Sequence, residues 1–385
     1  MASAGPDFGV YVHIPFCSSI CNYCNFNRGL YDEALKTRYV AALIKEISIA
    51  DVLRRANARA GTVDTIYFGG GTPSLLDPRD VRAIVGAIRD RFAVDPDSEI
   101  TLETNPETVD GEKLERFAEA GVNRLSFGVQ SFRDDELQRL GRIHSADRAR
   151  RAVRDARAAG FDNVSLDLMM WLPGQSVESW LESVDRLIDA APDHASLYLL
   201  ELYPNAPLKD EMARAGWSLA PDDAAAEMYL TAMERLEAAG LRQYEISNVA
   251  RMGRESRHNL KYWTDGEWLA FGCGAHATVG GVRTKNVAST TDYIGRVDAG
   301  TDLVIDRRVL TPQEQLEEAL FMGLRLNEGI DLDAVMARYG VDVWERYGRA
   351  LTRFVESGWL VHEGSRLRLS REGMLMANEV MAVFV

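Results

Sequence analysis

The sequence predicts an α/β protein: a partial (β/α)6 barrel of the TIM type, followed by a small, mostly α, winged-helix-like C-terminal domain. Six short β-type runs alternate with amphipathic helical stretches up to about Leu202, which implies a parallel sheet with helical crossovers. Six strands are fewer than the eight of a closed TIM barrel. From Thr311 onward the pattern changes to helices and one β-ribbon. We therefore expect a barrel over 1–205, an extension that completes it over 206–305, and a C-terminal domain over 306–385.

The barrel prediction specifies the following strands and helices. The predicted strands are Phe8–His13, Thr65–Phe68, Glu99–Thr104, Arg124–Gly128, Val164–Met170 and Ala195–Leu202. The helices predicted between them are Glu33–Ala56, Asp77–Phe92, Gly111–Ala120, Ala146–Ala159 and Val177–Ala190. Helical spacing of apolar residues supports them, as in the first helix with Leu35, Tyr39, Leu43 and Ile47.

After the sixth strand, the pattern changes. We expect a helix at Asp222–Ala239, a further strand at Gln243–Val249, and an aromatic, glycine-rich segment at His258–Gly281. The C-terminal elements are predicted at Pro312–Leu326, Leu332–Tyr339 and Val343–Ser357 (helices), Trp359–His362 and Arg366–Ser370 (ribbon), and Arg371–Phe384 (final helix). This domain carries several glutamates and no basic recognition stripe. It is therefore predicted to be a lid or a partner surface and not a DNA reader.

The composition restricts the possible partners and the compartment. The 385 residues are 46% hydrophobic and carry a net charge of −14, which disfavours broad nucleic-acid binding. No apolar run approaches the length of a membrane span. The initial MASAGPDFG has neither a basic n-region nor an apolar h-region. We expect a cytoplasmic protein with reduced thiols, in which clustered cysteines bind metal and do not form disulfides.

Three of the four cysteines lie within Tyr11–Phe26, which reads YVHIPFCSSICNYCNF. Cys17, Cys21 and Cys24 have the spacing C-x3-C-x2-C, and thiolates in one short loop suit an iron–sulfur cluster or zinc. A [4Fe–4S] cluster held by three cysteines keeps one iron open to another ligand. A structural zinc would need a fourth ligand, with His13 or Cys273 as the available donors.

Polar and glycine-rich signals recur at the ends of the predicted strands, where TIM-type barrels carry their reactive face. In strand order they are the cysteine loop, Gly69–Ser74 (GGGTPS), Glu103 with Asn105, Gln130, Asp167 and Glu201. GGGTPS is either a tight turn or a place where a ligand approaches the backbone. It matches neither the Walker loop nor G-x-G-x-x-G, so nucleoside triphosphate binding is not expected. Because all of these signals lie at strand ends, together they predict a single site.

The cysteine loop, the hydrophobic strand before it and Tyr23 within it resemble the radical S-adenosylmethionine (radical SAM) family. Membership implies a (β/α)6 core and a [4Fe–4S] cluster on the three cysteines. It also implies that the open iron chelates SAM, and that an electron from a donor cleaves the sulfonium to a 5′-deoxyadenosyl radical. Further segments (GGGTPS, TLETNPE, SFGVQSF, LGRIHS, SLDLMMWLPGQ) resemble the branch of oxygen-independent coproporphyrinogen III oxidases and HemW-type haem chaperones. The SAM contacts implied by this branch are Tyr11, Gly70, Gly71, Thr72, Glu103, Gln130, Arg142 and Asp167.

Two features distinguish the members of this branch. The oxidases typically place a further cysteine two residues after the third, where this sequence has Phe26. The segment HNLKYW resembles the H-N-x-x-Y-W motif of the haem chaperones, which makes His258, Tyr262 and Trp263 candidates for haem binding. Its alternative is a capped turn with both aromatic residues in the core. His276 and Cys273 are predicted to be structural.

The resemblance implies haem as cargo, with delivery to haem-requiring clients such as respiratory enzymes and peripheral association with membranes through them. Radical SAM chemistry would require an electron donor. The main alternative is an oxidase that decarboxylates two propionates of coproporphyrinogen. A zinc-dependent binding module without redox function is the third possibility.

Overall fold

The computed structural model describes residues 7–50, 61–204 and 206–385, and a twelve-stranded sheet forms its centre. The strands in chain order are β1 (Phe8–Ile14), β2 (Phe16–Cys17), β3 (Gly29–Leu30), β4 (Val63–Gly70), β5 (Val94–Thr104), β6 (Arg124–Gln130), β7 (Val164–Met170), β8 (His194–Leu199), β9 (Arg242–Glu245), β10 (Asn248–Ala250), β11 (Glu267–Phe271), β12 (His276–Val279), β13 (Val282–Asn286), β14 (Val304–Val309), β15 (Ile330–Asp331), β16 (Leu360–Glu363) and β17 (Arg366–Leu369).

Most of these strands alternate with helices. The helices are α1 (Glu33–Ile49), α2 (Pro78–Arg91), α3 (Gly111–Glu119), α4 (Asp134–Arg139), α5 (Ala146–Ala158), α6 (Val177–Asp189), α7 (Pro207–Ala215), α8 (Asp222–Ala238), α9 (Arg257–Trp263), α10 (Thr290–Ala299), α11 (Pro312–Gly323), α12 (Leu332–Tyr339), α13 (Val343–Glu356), α14 (Arg371–Leu375) and α15 (Ala377–Met381). Among the helices of the described ranges, none combines the length and the apolar character needed to cross a membrane.

The sheet order is β14-β13-β12-β11-β1-β4-β5-β6-β7-β8-β10-β9. The six predicted strands lie next to one another as β1 and β4 to β8, and they pair in parallel. The sequence pattern missed β11, which adds a parallel neighbour to β1. The remaining sheet strands pair antiparallel with their neighbours. The core is thus the predicted partial barrel, extended at both edges.

Successive side chains of β1 point to opposite faces of the sheet. This alternation explains how the barrel is packed on one side and open to ligands on the other. Val10 and Val12 are fully buried in the same apolar cluster as Leu43 and Ile47 of α1. Burying one such side chain stabilises the fold by about 1.5–3 kcal/mol. The intervening Tyr11 stacks on Tyr67 of β4, with ring centroids 6.2 Å apart. One strand face therefore anchors the helices, and the other directs Tyr11 towards Tyr67 inside the barrel.

Several predicted boundaries were wrong. The predicted second helix includes Asp77, which instead caps α2 by accepting a hydrogen bond from the backbone N–H of Arg79. The predicted end of the first helix, Ala56, lies outside the described residues, and the described α1 ends at Ile49. The sixth strand ends at Leu199 and not at Leu202.

Two predicted elements are divided. The single strand predicted at Gln243–Val249 is two short strands, β9 and β10, joined by a tight turn. The single C-terminal helix predicted at Arg371–Phe384 is interrupted at Met376, whose φ of −107° and ψ of 19° are not helical. The three helices and the β16–β17 hairpin of the C-terminal domain follow the prediction, and β15 adds a third strand beside β17.

Candidate functional site

A cavity of about 370 Å³ lies at the carboxyl ends of the barrel strands. The sequence-predicted residues that border it are Cys17, Cys21, Cys24, Gly70, Gly71, Thr72, Glu103, Asn105, Gln130, Arg142, Asp167 and Glu201. The predicted residue Tyr11 does not border it but lies behind Tyr67, with its hydroxyl 3.1 Å from His13 Nδ1. We call this space, which the three cysteines border, the cluster cavity.

The cysteine loop is held in place by backbone contacts. Phe16 and Cys17, at the start of the loop, pair with Gly29 and Leu30 after it. The two ends of the loop therefore lie side by side. The backbone N–H of Cys24 donates to the carbonyl of Cys21 at 3.3 Å. Burial raises the pKa of the Cys17 and Cys24 thiols, so metal binding here would release protons.

The loop fits a multinuclear centre better than a single ion. Within the described ranges, no three His, Cys, Asp or Glu side chains are close enough together to hold one metal ion. The thiols instead border one cavity, and Gly71 leaves space beside them. A Cβ at Gly71 would lie 2.7 Å from the Phe16 carbonyl oxygen and 3.0 Å from Cys17 Sγ. Three soft thiolates around an open space suit an iron–sulfur cluster.

Glu103 lies at the end of β5 and is fixed by two donors. Its Oε1 accepts a hydrogen bond from the Tyr67 hydroxyl at 2.8 Å, and its Oε2 accepts one from the Gly70 N–H at 3.1 Å. Gly70 has a φ of 118°, a left-handed conformation that favours glycine. Burial raises the pKa of Glu103 to about 7. The carboxylate can accept from further donors in the cavity, such as an ammonium or a hydroxyl.

Asp167 of β7 is a second carboxyl group on the same cavity. The Ser126 hydroxyl lies 3.2 Å from its Oδ1. Burial raises the pKa of Asp167 to about 6. Two carboxyl groups that border one cavity and are this readily protonated can bind hydroxyl and ammonium groups, because each can be charged or neutral near pH 7.

Arg142 connects the cysteine loop to the strand ends. Its Nη2 donates to Gly128 O at 2.7 Å and to Asn105 Oδ1 at 2.8 Å, and its Nη1 lies 3.5 Å from Cys21 Sγ. Its cation therefore stabilises negative charge at Cys21. Gln130 has a φ of 68° although it is not glycine, and its buried Oε1 has no hydrogen-bond partner among the described residues. Such strain and an unpaired acceptor are typical of ligand sites.

Sequence reasoning missed other residues of the cavity. These are Tyr67, Arg124, Ser126, Ser196, Tyr198 and Asn259. Arg124, Ser126, Gly128 and Gln130 occupy alternate positions of β6, so they share a face of the strand. Gln130 was already a candidate, and counting back from it in steps of two residues would have identified Ser126 and Arg124. Nothing local could have placed Asn259 there, because it comes from a distant helix.

The HNLKYW segment forms α9, which packs against the amino ends of the barrel strands. The carboxylate of Glu99 accepts the backbone N–H groups of Arg257 and His258, both at 3.1 Å. A Cβ at Gly9 would lie 2.9 Å from His258 Cε1. The segment therefore packs directly against the barrel.

His258 is 1% exposed, and both of its ring nitrogens have partners. Nδ1 lies 2.8 Å from Thr65 Oγ1, and Nε2 lies 3.0 Å from the Tyr262 hydroxyl. Its ring stacks on Tyr67 at 5.1 Å, and burial lowers its pKa to about 3. An axial ligand needs a free, accessible nitrogen, so the interpretation of His258 as a haem ligand does not fit this arrangement.

A second cavity of about 440 Å³ lies on the other side of α9, where β11 and β12 meet α11 and α12 of the C-terminal domain. Its aromatic walls are Tyr262, Trp263 and Trp268, and Met322 of α11 faces them. The rings of Tyr262 and Trp268 are perpendicular, 4.7 Å apart. Trp263 Nε1 is buried, and no residue in the described part of the chain hydrogen-bonds to it. We call this space the aromatic cavity.

Two family models match the chain. The model of the radical SAM superfamily matches residues 11–187, and that of the HemN C-terminal domain matches residues 310–376. The first range includes the cysteine loop and the cluster-cavity residues from Gly70 to Asp167. The second range includes α11 to α13 and the β16–β17 hairpin.

Several curated proteins are similar over most of their length. The heme chaperone HemW of Bacillus subtilis is 37% identical over 97% of this chain and 98% of that protein. The heme chaperone HemW of Escherichia coli is 40% identical over 71% of both chains. The mitochondrial radical S-adenosyl methionine domain-containing protein 1 of Bos taurus is 37% identical over 97% of this chain and 86% of that protein.

Among solved structures, the coproporphyrinogen III oxidase HemN of Escherichia coli, described as a radical SAM enzyme, superposes with a TM-score of 0.85. The superposition covers 99% of this chain and 90% of that chain at 22% identity. At this identity the likeness establishes the shared fold only, which is the predicted barrel with its C-terminal domain.

Proposed function

Since the chain belongs to the HemW family of radical SAM proteins, we propose that it is a haem chaperone that binds haem and a SAM-ligated [4Fe–4S] cluster. Haem is the cargo in this proposal, and haem-dependent proteins, respiratory enzymes among them, are the clients. The protein works in the cytoplasm and meets membranes through its clients. The observation that carries the proposal is the presence of two separate cavities on either side of α9.

The cluster cavity is the proposed place of the cluster and of SAM. Cys17, Cys21 and Cys24 would hold the cluster, and Arg142 would stabilise the charge of the nearest thiolate. Glu103 and Asp167 would bind the ammonium and hydroxyl groups of SAM, and the backbone at Gly70 to Thr72 and Gln130 would complete the contacts. The chemistry available when both groups are bound is one-electron reductive cleavage of the sulfonium, with the electron from an external donor.

The aromatic cavity is the proposed haem site. Its volume of about 440 Å³ lies within the range of small-molecule pockets. Tyr262, Trp263 and Trp268 give it flat apolar walls, which suit a macrocycle. His258 supports Tyr262 from the barrel side through the 3.0 Å hydrogen bond. The soft thioether of Met322 borders the same space, and methionine is a known axial ligand of haem iron.

Phe26 favours this proposal over an oxidase. It is 64% exposed at the mouth of the cluster cavity, at the position where the oxidases typically have a further cysteine. A large apolar side chain in this place supplies no thiolate. The alternative remains a coproporphyrinogen III oxidase, which would use the cluster cavity alone and would not need the aromatic cavity.

A haem titration of a cluster-free variant tests the proposal. The triple variant Cys17→Ala/Cys21→Ala/Cys24→Ala should bind haem with a Soret band, because the haem site does not include the cysteines. Trp268→Leu should weaken haem binding, and Met322→Leu should shift the band. Trp344→Leu, in α13 and outside both cavities, is the matched control and should bind as the parent does.

The alternative is tested with the same preparations. Protein with cluster, SAM and a reductant should not decarboxylate coproporphyrinogen III. Turnover of coproporphyrinogen without haem binding would contradict the chaperone function and establish the oxidase. Haem binding that is unchanged in both Trp268→Leu and Met322→Leu would keep the function but refute the assignment of the aromatic cavity.

A further inference from the structure

Among the described residues, Arg124 is a cation in the interior of the barrel whose side chain has no direct hydrogen-bond or ion-pair partner. It lies at the start of β6, is 1% exposed and borders the cluster cavity. Its Nε is buried without a hydrogen-bond partner, and its guanidinium forms no ion pair within the part of the chain that the structure describes. Burying a charge without a direct hydrogen-bonded partner is unfavourable. An unpaired guanidinium at a cavity wall is therefore a candidate ligand-binding group.

The two carboxyl groups of the cavity do not neutralise Arg124 by direct contact. Glu103 accepts from the Tyr67 hydroxyl and from the Gly70 N–H. Asp167 accepts from the Ser126 hydroxyl at 3.2 Å. Each acid accepts its hydrogen bonds from neutral groups. Burial raises the pKa of both carboxyls, and Arg124 opposes this only at longer range, without a hydrogen bond. The fork of guanidinium donors is therefore left for another acceptor.

Asn259 supplies a second donor to the same cavity. It belongs to α9, is half-buried and borders the cluster cavity. Its backbone N–H donates to Ser256 Oγ at 3.4 Å, whereas its side-chain amide has no protein partner among the described residues. A guanidinium and a primary amide together present N–H donors, which match the two oxygens of a carboxylate.

We propose that Arg124 and Asn259 form a carboxylate-binding site on the floor of the cluster cavity, beneath the residues that border the SAM position. The ligand is an organic molecule, or the arm of a larger one, that ends in a carboxylate. Binding is non-covalent, and it pairs the buried cation. This site is separate from the aromatic cavity and does not require that haem bind there.

Small carboxylates test the site in the cluster-free protein. Propionate and its neutral isostere propionamide have nearly the same size, so their comparison isolates the charge. Isothermal titration calorimetry and Tm, both at matched ionic strength, should show binding and stabilisation by propionate but not by propionamide. Arg124→Gln should weaken propionate binding by about tenfold or more, because a charge-assisted hydrogen bond is lost. Asn259→Ala should weaken it by less.

Two further variants keep the test decisive. Arg124→Lys retains the charge without the fork, so it should fold and bind propionate at intermediate strength, even if Arg124→Gln fails to fold. Arg254→Gln removes an exposed arginine that pairs with Asp162 on the surface, and it should bind propionate as the parent does. Equal effects of propionate and propionamide on the parent, or full propionate binding by Asn259→Ala and Arg124→Lys, would refute the proposal.

SAM also carries a carboxylate, and a separate measurement distinguishes SAM from a second carboxylate ligand at Arg124. In the protein with its cluster, Arg124→Lys should leave the Kd for SAM within about twofold, since the SAM contacts implied by the family resemblance include Arg142 and not Arg124. A tenfold loss of SAM affinity together with no propionate binding by the parent would assign Arg124 to SAM and overturn the second-ligand site. Loss of haem binding alone would contradict the chaperone function and leave this site intact.

Discussion

The hydroxyl of Tyr67 donates a 2.8 Å hydrogen bond to Glu103 Oε1 in the interior of the barrel. The ring of the same tyrosine stacks on His258 of α9. One residue of β4 therefore contacts both a carboxylate of the cluster cavity and the helix that closes the opposite end of the barrel. Changing the charge of Glu103 therefore tests how the interior of the barrel is held together.

The stability of the ligand-free protein should fall with rising pH because of Glu103. Burial raises its pKa from 4.5 to about 7, so the folded chain binds this proton more tightly than the unfolded chain does. The resulting stabilisation is complete below about pH 4.5 and is lost as the pH rises through about 7. In Glu103→Gln, the decline in the free energy of unfolding between about pH 5 and 8 should be smaller by on the order of 2 kcal/mol. Urea titrations at both pH values measure it.

An exposed carboxylate provides the control. Glu115→Gln on α3 should leave the pH dependence of the parent unchanged. A Glu103→Gln curve that runs parallel to the parent curve would mean that Glu103 is not protonated in this range.

The cluster should depend on three cysteines and not on the fourth. Replacing Cys17, Cys21 or Cys24 by Ala should abolish iron and sulfide incorporation after anaerobic reconstitution, because each removes one thiolate ligand. Cys273 is fully buried, and its Sγ lies 3.6 Å from Thr290 Oγ1, away from the cluster cavity. Cys273→Ala should therefore retain the iron. Iron loss only in the Cys273 variant would overturn the assignment.

Gly71→Ala should disturb the cysteine loop. The added Cβ would lie 2.7 Å from the Phe16 carbonyl oxygen, a contact that the backbone must move to relieve. We expect incomplete iron incorporation, measured as iron per chain. Gly86→Ala in α2 is the matched control, because its Cβ would meet nothing within 4 Å. There, alanine should stabilise the helix by up to about 1 kcal/mol. Equal iron content in both variants would show that the space beside Cys17 is not needed.

Asp167 should matter for SAM binding. Asp167→Ala removes a charge-assisted hydrogen-bond acceptor worth about 1.5–3 kcal/mol, so the Kd for SAM should rise by about tenfold or more. Perturbation of the EPR spectrum of the reduced cluster by added SAM reports the binding. Asp185→Ala, an exposed surface residue that pairs with Arg235, should bind SAM normally. An unchanged Kd in Asp167→Ala would remove this residue from the site.

His258→Ala should act first on stability. The change removes hydrogen bonds to Thr65 and Tyr262 and leaves a cavity against Tyr67, so the free energy of unfolding should fall by about 2–4 kcal/mol. Chemical denaturation of haem-free protein measures it. His258→Gln, which keeps a polar group of similar reach, should lose less. If stability were unchanged while the Soret band disappeared, His258 would be an iron ligand after all.

The sequence by itself determined the fold and the main residues around the cluster cavity. The alternation of β-type runs and amphipathic helices is a local signal, because helical and strand periods depend only on residues close together in the sequence. The cysteine spacing and the glycines of GGGTPS are local as well, and strand ends meet at one edge in any parallel sheet. Gly70, Glu103, Gln130 and Asp167 therefore border the cluster cavity as the pattern predicted.

The tertiary structure decided what distant segments contribute. In sequence, HNLKYW is either a haem-binding candidate or a capped turn. In the structure α9 fills the amino end of the barrel, so His258 is buried between Thr65 and Tyr262 while Asn259 borders the cluster cavity. The aromatic cavity depends on α11 and α12 meeting β11, contacts between segments far apart in the chain. No local pattern encodes such contacts, because they follow from which surfaces can pack together once all elements have formed. That Arg124 has no direct partner among the described residues likewise depends on every neighbour in the barrel.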